Sequence, residues 1–172
     1  MAKVTEDNID EVLDTLWSRL IKVMYPYCWF PNCGKKTEEA CHIMKRRHHT
    51  TRWLYENGLG GCQFHNQWEE AHTAEAEVLM RECIGSDHYD TLKCLSNEEA
   101  HFSFSDKIGI IDRLATMLDG YGLKSNVSTS FKKASKSRYK KEMERFRKNH
   151  GGLSPSQIQY RRAKKWKETI DN

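Results

Sequence analysis

The sequence predicts a small α+β protein, and three observations lead there. Residues 6–24 carry apolar side chains at helical spacing. Residues 25–66 are rich in turns and hold four of the six cysteines and four of the eight histidines. Residues 124–172 are strongly basic. The 172 residues suit one domain with an appendage. An apolar share of 38% lies below the roughly 45–50% usual for globular domains, which places part of the chain outside a compact core.

The first element is a helix over residues 6–24. Val12, Leu13, Leu16, Trp17, Leu20, Ile21 and Met24 recur at spacings of three and four, forming one apolar stripe. Thr5 or Asp7 caps its start, and Pro26 ends it. Residues 25–66, with the Gly-rich run 58–61, lack helical periodicity and read as short strands and loops that need something other than a large core. Helical spacing resumes over 66–83, with Trp68, Ala71, Ala74, Val78 and Leu79 on or near one face. Residues 84–96 read as a loop. Residues 97–120 read as a helix that opens with a capping box from Ser96 to Glu99. Its stripe is Ile108, Ile111, Leu114, Ala115 and Leu118, and Gly120 and Gly122 close it. After a polar linker at 125–130, residues 131–149 form a basic helix, and Ser154-Pro155 opens a last short one. The chain is thus organised as an N-terminal helix (1–24), a cysteine-rich core (25–83), a helical support (84–123) and a basic helical tail (124–172).

No apolar run reaches the roughly 18 residues that a membrane-spanning helix needs, so no membrane partner is expected. The N-terminus lacks the basic-then-apolar layout of a secretion signal. A reducing compartment follows, and the cysteines are read as thiols or metal ligands before disulfides. Charge is uneven: residues 124–172 carry a net +11 and residues 1–123 a net −7. An acidic body with a basic tail points to a polyanion, most simply nucleic acid. A solvated basic helix without a partner is the plainer alternative. In the tail, Lys132, Lys133, Lys136, Arg138, Lys140 and Lys141 are the cations placed along phosphates.

Cys28-x4-Cys33 is followed, after 28 intervening residues, by Cys62-x2-His65. Two close pairs of soft ligands, each on a tight turn, suit a tetrahedral zinc ion that ties the turns together. The alternative is packed thiols, but a region so short of apolar residues would then lack a reason to be ordered. Cys83, His88 and Cys94 have irregular spacing and no evident fourth ligand, so they read as packed thiols and a surface histidine.

Between the two pairs the sequence reads His42-Ile43, Thr51-Arg52-Trp53, Glu56-Asn57-Gly58, then Cys62-x2-His65-Asn66. Over about residues 28–72 this resembles the HNH nuclease superfamily, whose core is a β-hairpin followed by a helix, the ββα-metal fold. Within that superfamily the zinc pair before the histidine and the final Asn most resemble the phage NinG/Rap recombination nucleases. The resemblance implies a zinc-stabilised ββα-metal core with an N-terminal helix and a basic helical extension. It further implies a DNA endonuclease or nickase acting on branched or single-stranded recombination intermediates in a bacterial or phage-infected cytoplasm.

By the same resemblance His42 is the general base, and an imidazole neutral near pH 7 suits that role. Asn57 pins the loop that orients the base, and Asn66 binds a catalytic Mg²⁺ or Mn²⁺ at the helix head. Lys45, Arg46, Arg47 and Arg52 flank the base and are read as phosphate contacts. One position departs from the pattern. Where the family often has Asp or His before the base, this chain has Cys41, and a thiolate is a poor partner for Mg²⁺. Either the ion relies on Asn66 with Glu69, Glu70 or His72, or Cys41 joins the zinc shell, or activity is weak. Glu70, four residues after Asn66 on one helix face, is the preferred second ligand. Two other functions stay open: a zinc-framed nucleic-acid-binding module without catalysis, and an adaptor whose tail meets acidic proteins.

Overall fold

Helix α1 (Ile9–Met24) begins three residues later than its apolar stripe suggested. A turn at residues 6–8 leads into it, closed on Thr5 by Asn8 N donating to the Thr5 carbonyl at 3.3 Å. The Asn8 carbonyl accepts from Val12 N at 3.0 Å, and its Oδ1 accepts from Thr5 N at 2.8 Å. Asp10 and Glu11 in the first turn and Lys22 in the last complement the helix dipole. The computed structural model describes residues 4–125, an α+β chain of five α-helices and one two-stranded antiparallel sheet. The predicted basic helices and the tail cations Lys132, Lys133, Lys136, Arg138, Lys140 and Lys141 lie outside the described residues. Among those residues no helix is long and apolar enough to cross a membrane.

Residues 4–20 and 101–125 make up one unit, and residues 21–100 a second. In the first, α1 buries Ile9, Leu13, Leu16, Trp17 and Leu20. Its partner element, here α5 (Phe104–Gly120), buries Ile111, Leu114, Ala115 and Leu118. Lys107 pairs with Asp10 at 2.7 Å, and Arg19 donates to the carbonyls of Lys124 and Ser125 at 3.0 and 3.3 Å. The capping box of α5 lies at Ser103 and Asp106, not at Ser96 and Glu99. The helix therefore starts seven residues later than predicted from Ser96-x2-Glu99. Gly122, at φ +76°, ends it in a Schellman motif: Leu123 N donates to Leu118 O and Gly122 N to Asp119 O, both at 3.0 Å.

The second unit is built on a hairpin. Strand β1 (Glu39–His42) pairs antiparallel with β2 (Gly58–Gly61), in the register Glu39 with Gly61 and His42 with Gly58. A 3-10 turn (Tyr55–Asn57) leads into β2, and α2 (Gln63–Ala71) follows it at once. The glycines of β2 allow a close approach that no side chain would. A Cβ on Gly60 would strike Thr37 Oγ1 and the Tyr25 carbonyl, and one on Gly61 would strike Cys41 Sγ. The single helix expected over 66–83 is broken at His72, where φ is −125° and ψ is 56°, and α3 (Thr73–Ile84) resumes beyond it.

Residues 84–96, read as a loop, form helix α4 (Ser86–Ser96) instead. Gly85, at φ +91°, separates α3 from α4 without a linker. Only Tyr89, Leu92 and Ser96 of α4 are buried, too narrow a stripe to mark a helix in the sequence. Tyr89 and Leu92 join Ala76 and Met80 of α3 in one core with Trp29, Cys41, Ile43, Met44 and Leu59. Ser96 caps nothing downstream; its hydroxyl donates back to the Lys93 carbonyl at 2.8 Å.

Candidate functional site

The first cysteine pair sits on a knuckle folded by two left-handed residues, Asn32 (φ 59°) and Gly34 (φ 64°). Asn and Gly tolerate that conformation at the least cost. The knuckle closes where Cys28 N donates to the Lys35 carbonyl at 2.9 Å and Cys33 N to the Phe30 carbonyl at 3.2 Å, with Tyr27 bridged to Lys36. The second pair straddles the start of α2. Cys62 is the residue before the helix and His65 lies in its first turn. A helix N-terminus favours a thiolate there. Glu38 completes the start by accepting from Gln63 N at 2.9 Å.

Cys28, Cys33, Cys62 and His65 are brought together, their ligand atoms all within 4.8 Å of one another. His65 Nδ1 lies 3.3 Å from Cys62 Sγ and 3.5 Å from Cys28 Sγ, and Cys33 and Cys62 Sγ are 3.8 Å apart. Zinc bonds of about 2.3 Å to sulfur and 2.0–2.1 Å to nitrogen give a tetrahedron with S–S edges of about 3.8 Å and S–N edges of about 3.6 Å. The three spacings of 3.3, 3.5 and 3.8 Å lie within about 0.3 Å of those edges. A disulfide would need about 2.05 Å, and all four sulfur-bearing residues of the knuckles and hairpin are free thiols. Phe30 stacks on the His65 ring, centroids 3.8 Å apart and planes 2° apart, which fixes the imidazole. The donor set of three sulfurs and one nitrogen fits a structural zinc ion.

Without an ion the ligands do not share one protonation state. Burial, and behind it the adjoining Cys33 sulfur, pushes the Cys28 thiol up to about 12. At Cys62 burial also pushes upward, but the hydrogen bonds from the His65 backbone, Cys28 and Cys33 outweigh it, and this thiol lies below its ordinary value. Burial, then the Lys35 ammonium, lowers the His65 imidazole and favours the neutral ring a metal needs. Sulfurs so crowded do not all ionise without a cation among them.

Cys41 is not part of this cluster. It is 1% exposed in the hydrophobic core, and burial pushes its thiol upward. Of the three alternatives for this position, membership of the zinc shell is therefore excluded. Cys83 packs against the same core and Cys94 is exposed. Among the described residues, the four-ligand cluster is the one group of three or more His, Cys, Asp or Glu side chains close enough to share an ion.

His42 ends β1. Its Nε2 lies 2.9 Å from the Arg52 carbonyl, an oxygen that can only accept, so Nε2 carries the proton and Nδ1 is the basic nitrogen. Asn57 is fully buried behind it. Its Oδ1 accepts from Met44 N at 2.6 Å, and its Nδ2 donates to the Met44 and Thr51 carbonyls, both at 3.0 Å. One side chain thus holds both ends of the segment from Met44 to Thr51. Replacing Asn57 with alanine leaves the buried Met44 N–H and Met44 carbonyl short of partners at about 1–3 kcal/mol each, while the Thr51 carbonyl keeps Leu54 N. The expected loss is about 3–5 kcal/mol of stability, read from urea unfolding. A loss under about 1 kcal/mol contradicts this role.

Among the described residues Glu69, Glu70 and His72 belong to no cluster of three or more His, Cys, Asp or Glu ligands. The Asn66 amide nitrogen donates to Glu39 Oε2. Glu70, the preferred second ligand, is exposed, whereas its neighbour Glu69 is buried and paired with Lys45. Burial pushes the Glu69 carboxyl up, and Lys45 opposes that shift. His72 is exposed and stacks on Trp68, with centroids 4.8 Å apart. Of the predicted phosphate contacts, Arg46 and Arg47 are exposed. Arg52 lies over the Trp53 ring at 5.0 Å, and Lys45 is engaged by Glu69.

Sequence reasoning passed over Glu38, Glu39 and Phe30. Phe30 was legible in principle, as an aromatic ring inside the first ligand loop. The two glutamates carried no signal, because their partners Gln63 and Asn66 are distant in sequence. No family model, curated protein sequence or solved structure matches the chain.

Proposed function

We propose that this chain is an HNH-type DNA endonuclease or nickase whose core is framed by a structural zinc ion. The observation that carries the reading is the pair His42 and Asn57. A histidine at the end of β1, fixed as the Nε2–H tautomer, stands beside a loop that a buried asparagine clamps. That is what a positioned general base requires. In the reaction His42 Nδ1 takes a proton from a water whose oxygen forms a bond to phosphorus. The bond from phosphorus to the 3′ oxygen breaks, and solvent returns a proton to that oxygen. Arg46 and Arg47 meet the phosphates. By the family resemblance Asn66 and Glu70 would hold a Mg²⁺ or Mn²⁺ ion, which would supply positive charge at the phosphate.

A second reading has its own support: a zinc-framed DNA-binding module that does not cleave. The buried Cys41 and the engagement of Asn66 and Glu69 by other side chains favour it. Supercoiled plasmid incubated with the full chain in Mg²⁺ or Mn²⁺ separates the two. Accumulation of nicked or linear DNA supports the nuclease; binding without cleavage under either ion supports the module. Deleting residues 131–172 is expected to weaken DNA affinity and flatten its salt dependence while zinc content stays unchanged. Unchanged affinity, measured by anisotropy at two salt concentrations, removes the tail from the DNA-binding surface.

A further inference from the structure

Glutamate is rarely buried without a partner. Glu69 is the one buried residue of α2, its side chain 6% exposed, and the reaction described above makes no use of it. Its partner is the Lys45 ammonium, on a side chain that is 40% exposed. The pair therefore has its acid in the core and its base at the surface. A lysine ammonium has three N–H donors; Glu69 Oε1 takes one, which leaves two for a phosphate.

Both partners are held in place. Asn66 and Glu69 stand three residues apart on one face of α2. Asn66 donates to Glu39 at the start of β1, and Glu69 takes Lys45 just beyond the end of that strand. The backbone at Lys45 is fixed on either side: Asn57 grips the N–H and the carbonyl of Met44, and Lys45 O accepts from His48 N at 3.0 Å. His42 lies three residues before Lys45, so their Cα atoms are at most about 11 Å apart. A phosphodiester and its attacking water can bridge two side chains over that span. The Glu69 carboxylate also acts on the thiol of Cys41, the residue before His42.

We propose that Lys45 is a catalytic residue donating to a non-bridging oxygen of the scissile phosphate, and that Glu69 is the positioning residue that aims it. The inference rests on the nuclease reading. Negative charge grows on those oxygens as water adds, and a donor already in place stabilises it without reorganisation. The test is single-turnover plasmid cleavage by the full chain in Mg²⁺ or Mn²⁺, beside melting temperature and zinc content. Lys45→Met should lower the cleavage rate about 10²-fold. It also strands a buried carboxylate, so the melting temperature should fall with it. The double variant Lys45→Met/Glu69→Leu removes both charges and should regain the wild-type melting temperature, because apolar groups replace a buried pair at little cost. Its cleavage should stay about 10²-fold down. Glu69→Gln keeps the shape and loses the charge; it should slow cleavage at saturating protein about tenfold or more, with DNA affinity unchanged. A double variant that regains stability and cleavage together makes the pair structural only and overturns the proposal. So does a folded Glu69→Gln chain that cleaves at the wild-type rate. A wild-type chain that cleaves under neither ion sinks the nuclease reading itself, whereas wild-type cleavage undiminished in these variants removes Lys45 and Glu69 alone.

Discussion

Replacing Cys62 with serine will release the metal and unfold residues 21–100. Four side chains from two knuckles converge on one point there. The sheet has two strands of four residues each, and a lone hairpin of that size is marginal in water. Structural zinc contributes about 10–16 kcal/mol of binding energy in small zinc domains. Whole domains are stable by only about 5–15 kcal/mol, so losing the ion removes an energy comparable with the whole net stability. Circular dichroism should show loss of a cooperative melt, and proteolysis should reach the segment 25–66. A chelator should reproduce both effects in the wild-type chain, and zinc should reverse them. A variant that melts like the wild type refutes this.

Replacing His42 with alanine will lower DNA cleavage by about 10²–10⁴-fold, the usual contribution of a general base. The side chain is half-buried and its Nε2 donates to the Arg52 carbonyl; zinc content and melting temperature should hold. Glutamine at this position separates the roles. Its amide can donate to the Arg52 carbonyl as Nε2 does, but it cannot take a proton from water. Cleavage by His42→Gln should therefore be as low as by His42→Ala. Glutamine restoring activity would assign His42 to positioning alone, and undiminished cleavage by both would remove it from the chemistry.

The parts of this structure that were legible in the sequence are those set by local spacing. The stripe of α1 follows from contacts between residues three and four apart, and the metal ligands from two short pairs. Asn57 and His42 stood out through the motif around them. Elements decided by tertiary packing were not legible. Helix α4 exposes most of its surface and was lost among polar residues. Ser96-x2-Glu99 and Ser103-x2-Asp106 both have capping-box composition. Burial of Ser96 at the end of α4 decides between them, and no local rule contains that. The inward turn of Glu69, where Glu70 had been preferred, depends on Lys45, 24 residues away. Cys41 is drawn into the core by Trp29 and Leu59, and its neighbours in sequence do not announce it.

Metal analysis of the full chain tests the account at its base. Protein purified without added metal and dialysed extensively should hold one zinc ion per chain, and a variant carrying both Cys33→Ser and Cys62→Ser should hold none. A wild-type chain free of any bound transition metal, or a doubly substituted chain that keeps its zinc, would contradict the centre on which the fold and the proposed chemistry are built.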